Sequence, residues 1–139
     1  MKIAVIYYSK TGHSKKIADA VAESLETKAL DINTKPELND VELLFIVSGI
    51  YGGVTAPELN QFAQGISKSS VKKAALITSC LSNRQGQDIV RNVLIKNGIE
   101  VAAEEFICRG RLLFIGFPHP DKADISAAIS FAKKITQKE

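Results

Sequence analysis

No apolar run in this 139-residue chain reaches the ~18–20 residues that span a bilayer, so no transmembrane helix is expected. Cysteine is scarce: Cys80 and Cys108 are the only two, and they lack metal-ligand spacing. That excludes a disulfide-stapled scaffold and a zinc module, and leaves two reduced thiols as the expectation. Dense blocks of one charge are missing too. The net charge of +3 is spread along the sequence, which gives nucleic acid no concentrated basic patch to read. The N-terminus runs directly into an apolar strand and has no small-residue cleavage site, so a cytoplasmic location is expected. Repeats, linkers and low-complexity segments are absent. One domain over residues 1–139 is the simplest organisation, long enough to bury a real core.

What is present is a regular alternation of short apolar runs and amphipathic segments. KIAVIYY (2–8), VELLFIVSG (41–49) and VKKAALITSC (71–80) are apolar on both faces, the pattern of strands buried in a parallel sheet. KALDI (28–32) reads as a further short strand, and IEVAAEEFICRG (99–110) as an edge strand with partial alternation. Helices are expected over 14–28, from Pro57 at an N1 position to about 66, over 88–98, and over 121–135. Between strands two and three only residues 33–40 are available, so that crossover is reduced to a turn or so. The expected fold is α/β: a three-layer α/β/α sandwich around a five-stranded parallel sheet.

Ligands of such sheets bind outside the carboxyl ends of the strands. Three loops there carry unusual chemistry. The first, SKTGHS, comprises Ser9, Lys10, Thr11, Gly12, His13 and Ser14. Its hydroxyls and amides gather at a helix start, where the dipole favours an anion, and Gly12 permits close approach: a nest for a phosphate. It matches neither GxxxxGK[ST] nor GxGxxG. A serine-capped helix without a ligand is the plainer alternative. The second loop, with Gly49, Ile50, Tyr51, Gly52 and Gly53, sets an aromatic between glycines, as suits stacking on a flat ring; an ordinary glycine turn with a surface tyrosine is the alternative. The third, TSCLSNRQGQ (78–87), with Ser79, Cys80, Leu81, Ser82, Asn83 and Gly86, offers polar side chains and free amides.

YYSKTGHSKKIA resembles the phosphate loop of the flavodoxins: an aromatic, then Ser-x-Thr-Gly-x-Thr, then Ala four residues on. Here it stands as Tyr8, Ser9, Lys10, Thr11, Gly12, His13, Ser14 and Ala18, with Ser14 replacing the usual Thr. The resemblance extends over the whole chain. It implies strand order 2-1-3-4-5 and noncovalently bound FMN. Residues 9–14 would hold the phosphate. Residues 49–53 would lie beside flavin N5, with Tyr51 over one ring face. Gly52 or Gly53 would permit the peptide that turns to accept a hydrogen bond from N5 once the flavin takes an electron. Residues 79–86 would run along the pyrimidine side.

Three features depart from the family. Electron-carrying flavodoxins are usually strongly acidic, whereas this chain is mildly basic. Lys10, His13 and Lys15 stand in or beside the phosphate loop, and the third loop has no aromatic for a second ring stack. One unit charge ~10 Å from the flavin at an effective dielectric of ~20 amounts to roughly 1.7 kcal/mol before screening. The fully reduced anion should therefore form at a less negative potential than in an acidic flavodoxin. The missing aromatic should weaken FMN binding and leave a ring face more open.

The leading functional expectation is a one-electron carrier. An FMN-dependent oxidoreductase acting on a quinone or porphyrinogen-type substrate is the alternative, and a non-redox binding module on the same fold is a third. The loop at 108–120, with Arg109, Arg111, Phe114, Phe117 and His119, is a candidate contact for an anionic or aromatic redox partner; a hydrophobic turn packing the last helix is the competing reading. No acid or base is assigned to catalysis: His13 reads as a solvated helix-start residue and Cys80 as a small, partly buried thiol. Monomer and dimer remain equally compatible with the sequence.

Overall fold

The computed structural model describes residues 1–10, 12–50, 54–80, 86–109 and 122–138, with backbone alone for Cys80, Cys108 and Arg109. Strands β1 (Ile3–Tyr8), β2 (Ala29–Asp31), β3 (Val41–Gly49), β4 (Val71–Cys80), β5 (Glu100–Val101) and β6 (Phe106–Arg109) alternate with helices α1 (His13–Ser24), α2 (Pro57–Gln64), α3 (Asp88–Lys96) and α4 (Lys122–Gln137). Every pairing is parallel, and the order is β2-β1-β3-β4-β5, with β6 also pairing β4. The expected layering and strand order are those observed. The short connection between β2 and β3 holds a single 3-10 turn, Ile32–Thr34, whose first amides are tied by the Asp31 carboxylate accepting from Asn33 N–H at 2.9 Å.

Alternation along the strands divides the core in two. Val5, Leu43, Phe45, Val47 and Ile77 face α1 and α4, meeting Ile17, Val21, Ala128 and Ala132. Ile6, Leu44, Ile46 and Leu76 face α2 and α3, meeting Leu59, Ala63, Val90 and Leu94. Because both faces of the sheet are covered, β1, β3 and β4 must be apolar throughout, which is why they read as continuous apolar runs. On the second face Asn97 ties one helix to its neighbour. Its side-chain amide donates to the terminal carbonyls of α2 and the turn after it, at 3.3 Å from Ala63 and 2.9 Å from Ile66.

Two expected elements change. Helix α1 stops at Ser24 rather than running to 28. Thr27 N–H donates to Ala22 O at 2.9 Å and Glu26 N–H to Glu23 O at 3.1 Å, while Glu26 adopts φ 60°. That is a Schellman ending with a glutamate in the left-handed position usually taken by glycine. Helix α3 ends by the same pattern with Gly98 at φ 84°. The second change is in the fifth strand, which is two segments. Residues 102–105 leave the ladder, and the sheet resumes at Phe106 opposite Ile77. Ala102 turns into the α1/α4 core and Ala103 lies exposed, so strict alternation across the break fails. The cause is the Glu105 side chain, which is drawn inward by three donors.

Candidate functional site

The register brings β1, β3, β4 and β6 to one level at this edge. Tyr8 pairs with Ser48, Ser48 with Thr78, and Thr78 with Ile107. Ser9 follows directly on β1, while Gly49 and Ser79 are the paired residues at and beside the ends of β3 and β4, across the point between β1 and β3 where the strand order reverses. In open α/β sheets that reversal is where ligands sit.

At the first loop the Ser9 hydroxyl oxygen accepts the Gly12 N–H at 2.9 Å, folding the chain back toward the helix. Gly12 is the N-cap of α1 with φ 91°, a conformation L side chains resist. Among the described residues, a Cβ built there would meet nothing within 4 Å. Among the same residues no side chain caps the amides that follow Gly12, and the first turn holds no acid. Ser14 is buried and His13 half-buried, whereas Lys10 is exposed. Lys15, expected in or beside the loop, is ion-paired with Asp19 at 2.7 Å. That hydrogen bond, with the Asp19 charge, raises the Lys15 pKa.

The second loop is fixed at both ends. At its start, buried Ile50 donates its N–H to Ser79 O at 3.0 Å, and the Ser48 hydroxyl donates to Gly49 O at 3.0 Å. At its exit, the Thr55 hydroxyl donates to the Asn60 side-chain oxygen, and Asn60 Nδ2 donates to Thr55 O at 3.3 Å, pinning the start of α2. Tyr8 adds a tie from β1: its hydroxyl donates to Glu58 Oε2 at 2.6 Å. The Glu58 pKa lies below its ordinary value, first because of that bond, then because of its own backbone N–H, with a smaller pull from Lys10.

The third loop ends in a buried polar cluster. Gln87 is fully buried and precedes α3. Its Nε2 donates to Ile46 O and Ile77 O, 3.0 Å each, bridging β3 and β4. Its Oε1 has no hydrogen-bond partner among the described residues. Its backbone N–H donates to Glu105 Oε2 at 2.8 Å, and the Thr78 hydroxyl donates to the same oxygen at 2.6 Å. Arg91 reaches Glu105 Oε1 at 3.3 Å and Ala102 O at 2.9 Å. Gly86 lies so close that a Cβ would fall 2.3 Å from Glu105 Oε2.

Of the sequence-derived site residues, Ser9, Lys10, Gly12, His13, Ser14, Gly49, Ile50, Ser79 and Gly86 thus stand at this edge, and Cys80 does so by its backbone. Thr11, Tyr51, Gly52, Gly53, Leu81, Ser82, Asn83 and Arg111 lie outside the described residues, as does most of the 108–120 loop. Sequence reasoning placed Thr78 and Gln87 in the third loop without giving them a role, and missed Glu105, Arg91 and Asn60. One signal was available: Glu105 is an acid directly before the apolar Phe106-Ile107-Cys108. Among the described residues no cluster of histidine, cysteine, aspartate or glutamate could hold a metal, and no helix is long and apolar enough to cross a membrane.

A parallel sheet of order 2-1-3-4-5, covered on both faces and bearing a glycine-started helix at its switch point, defines the flavodoxin-like class. The model of the flavodoxin domain matches residues 4–138, and the chain belongs to that family. A flavodoxin from the domain Archaea superposes with a TM-score of 0.81 at 17% identity, covering 99% of this chain and 98% of that one. Oxidised flavodoxin 2 from Bacillus cereus gives 0.76 at 19% identity, with both chains covered completely. Rubredoxin oxygen:oxidoreductase from Desulfovibrio gigas gives 0.72 at 16% identity, covering 99% of this chain but 35% of that larger one. No curated protein matches the chain by sequence.

Proposed function

We propose that this chain binds FMN noncovalently at the carboxyl edge of the sheet and relays single electrons to or from a redox partner protein. The observation that carries the reading is the start of α1. Its N-cap is a glycine in a conformation that glycine favours, its first turn holds no acid and, among the described residues, no side chain caps the amides that follow Gly12. A phosphate dianion matches that donor set and the helix dipole. Ser9, Gly12, His13 and Ser14, with Thr11, would hold the phosphate. Residues 49–53 and 79–86 would flank the ring, whose loops rise from firmly tied roots. When bound, the flavin supplies the redox chemistry. The chain's part is to bind it, orient it and set the charge around it.

An FMN-dependent oxidoreductase is the second reading, acting on a quinone or porphyrinogen-type substrate. The likeness to part of an oxygen:oxidoreductase favours it, because the same fold there belongs to a protein named as an enzyme. One experiment separates the readings. The visible spectrum is recorded as FMN is added to flavin-free protein, and then during stepwise reduction. A flavin band that shifts on binding and a stable one-electron stage support the carrier. Direct passage to the two-electron state favours the oxidoreductase, and an unperturbed free-flavin spectrum overturns both.

A further inference from the structure

We infer that Glu105 is a positioning residue for the flavin ring, acting through the root of the third loop; the inference rests on the flavin reading above. The carboxylate enters where the fifth strand breaks, between β5 and β6. Among the described residues, the three groups that meet it are donors: the Thr78 hydroxyl and Gln87 N–H on Oε2, and the Arg91 guanidinium on Oε1. Its side chain is only 10% exposed, so an ionised carboxylate fits that set and an amide does not. Through Gln87 N–H it holds the residue at which the loop rejoins the fold. Gln87 in turn grips carbonyls of β3 and β4, just before the ends of the strands that launch the second and third loops. Gly86 lies directly on the carboxylate, so a side chain there would have to push Glu105 off its donors. The position of the loop's last two residues is thus set by one side chain from the far edge of the sheet. A group on this edge does not reach the start of α1, so it should govern the ring and leave the phosphate alone.

The test is Glu105→Gln, which keeps the size and places an amide against donors. Glu104→Gln is the control, since Glu104 is exposed and pairs only with Lys134 and Lys138 among the described residues. In the flavin-free chain, hydrogen exchange at the Gly86 and Gln87 amides should quicken in Glu105→Gln and not in the control. Dissociation constants for FMN and for riboflavin should both rise about tenfold, with their ratio unchanged, because the phosphate end is untouched. A purely structural role would lower the melting temperature and leave both constants of the folded protein as in wild type. If Glu105→Gln does not fold, Arg91→Lys loosens the same carboxylate and should show a smaller rise of the same kind. Unchanged exchange, unchanged flavin affinities, or a selective loss of FMN over riboflavin would each overturn the inference. A wild type that binds neither flavin would remove the function proposed above and this role with it. A wild type that binds both, with a Glu105→Gln variant that binds equally well, would remove this role alone.

Discussion

Two helices begin at the same edge of the sheet, and they differ in the charge placed at their starts. Helix α1 starts at Gly12, whose N–H is taken by the neutral Ser9 hydroxyl, and its first turn holds no acid. Helix α3 starts after Gln87, whose N–H is taken by a carboxylate from another strand, and Asp88 adds a charge in the first turn. Both are positive ends of peptide dipoles. One has carboxylates of the protein at its start; the other, among the described residues, has none. A helix start alone therefore says little about binding; whether the protein has already supplied the anion is what distinguishes them.

That contrast can be broken from either side. The largest effect is expected from Gly12→Asp, which puts an internal anion where α1 has none. FMN affinity should fall a hundredfold or more, combining like-charge repulsion with the left-handed φ, and fluorescence titration reads it. Aspartate is a good N-cap, so thermal stability of the flavin-free chain should change far less than affinity. At the other helix, Gly86→Ala forces a methyl group onto the Glu105 carboxylate and should cost about 2 kcal/mol in denaturant unfolding. Removing a single donor is milder. Thr78→Val keeps the shape but takes the hydroxyl from Glu105, for a loss of about 1–2 kcal/mol by the same measurement.

Charge offers a finer probe of the start of α1. Lys10→Glu should make the potential of the fully reduced flavin more negative, by roughly tens of millivolts after screening, in a potentiometric titration. The smallest effect concerns pH. Glu58 has its folded pKa below the ordinary 4.5, chiefly through the Tyr8 hydroxyl. Its contribution to stability is therefore fully present above 4.5 and is lost as pH falls through the depressed value. In Tyr8→Phe, an NMR titration of Glu58 should move back toward 4.5, and the stability of the variant should converge on wild type as the solution is acidified below that range.

How legible these features were in the sequence follows from their range. The apolar runs of β1, β3 and β4 and the proline at the start of α2 are local signals, and their bounds were readable. The break between β5 and β6 was not, because its cause is a set of donors from Thr78, Gln87 and Arg91, distant in sequence from Glu105. The early stop of α1 was hidden for another reason: a Schellman ending is announced by glycine at Gly98 but carried by a glutamate at Glu26. At the candidate site, hydroxyls and a glycine marked the first loop. That Lys15 is spent on Asp19, and that Gln87 grips two strands, are facts of three-dimensional placement.

The interrupted strand also bears on how copies of this chain behave when crowded. An edge with unpaired backbone groups is a template on which another chain can extend the sheet. Here one rim is β2, of three residues, and the other is split into segments of two and four, with charged Glu100 and Glu104 near the gap. Neither rim, among the described residues, offers a long flat ladder for a stranger to join. The kink that seats a carboxylate thus also leaves the molecule poorly suited to nucleating fibrils.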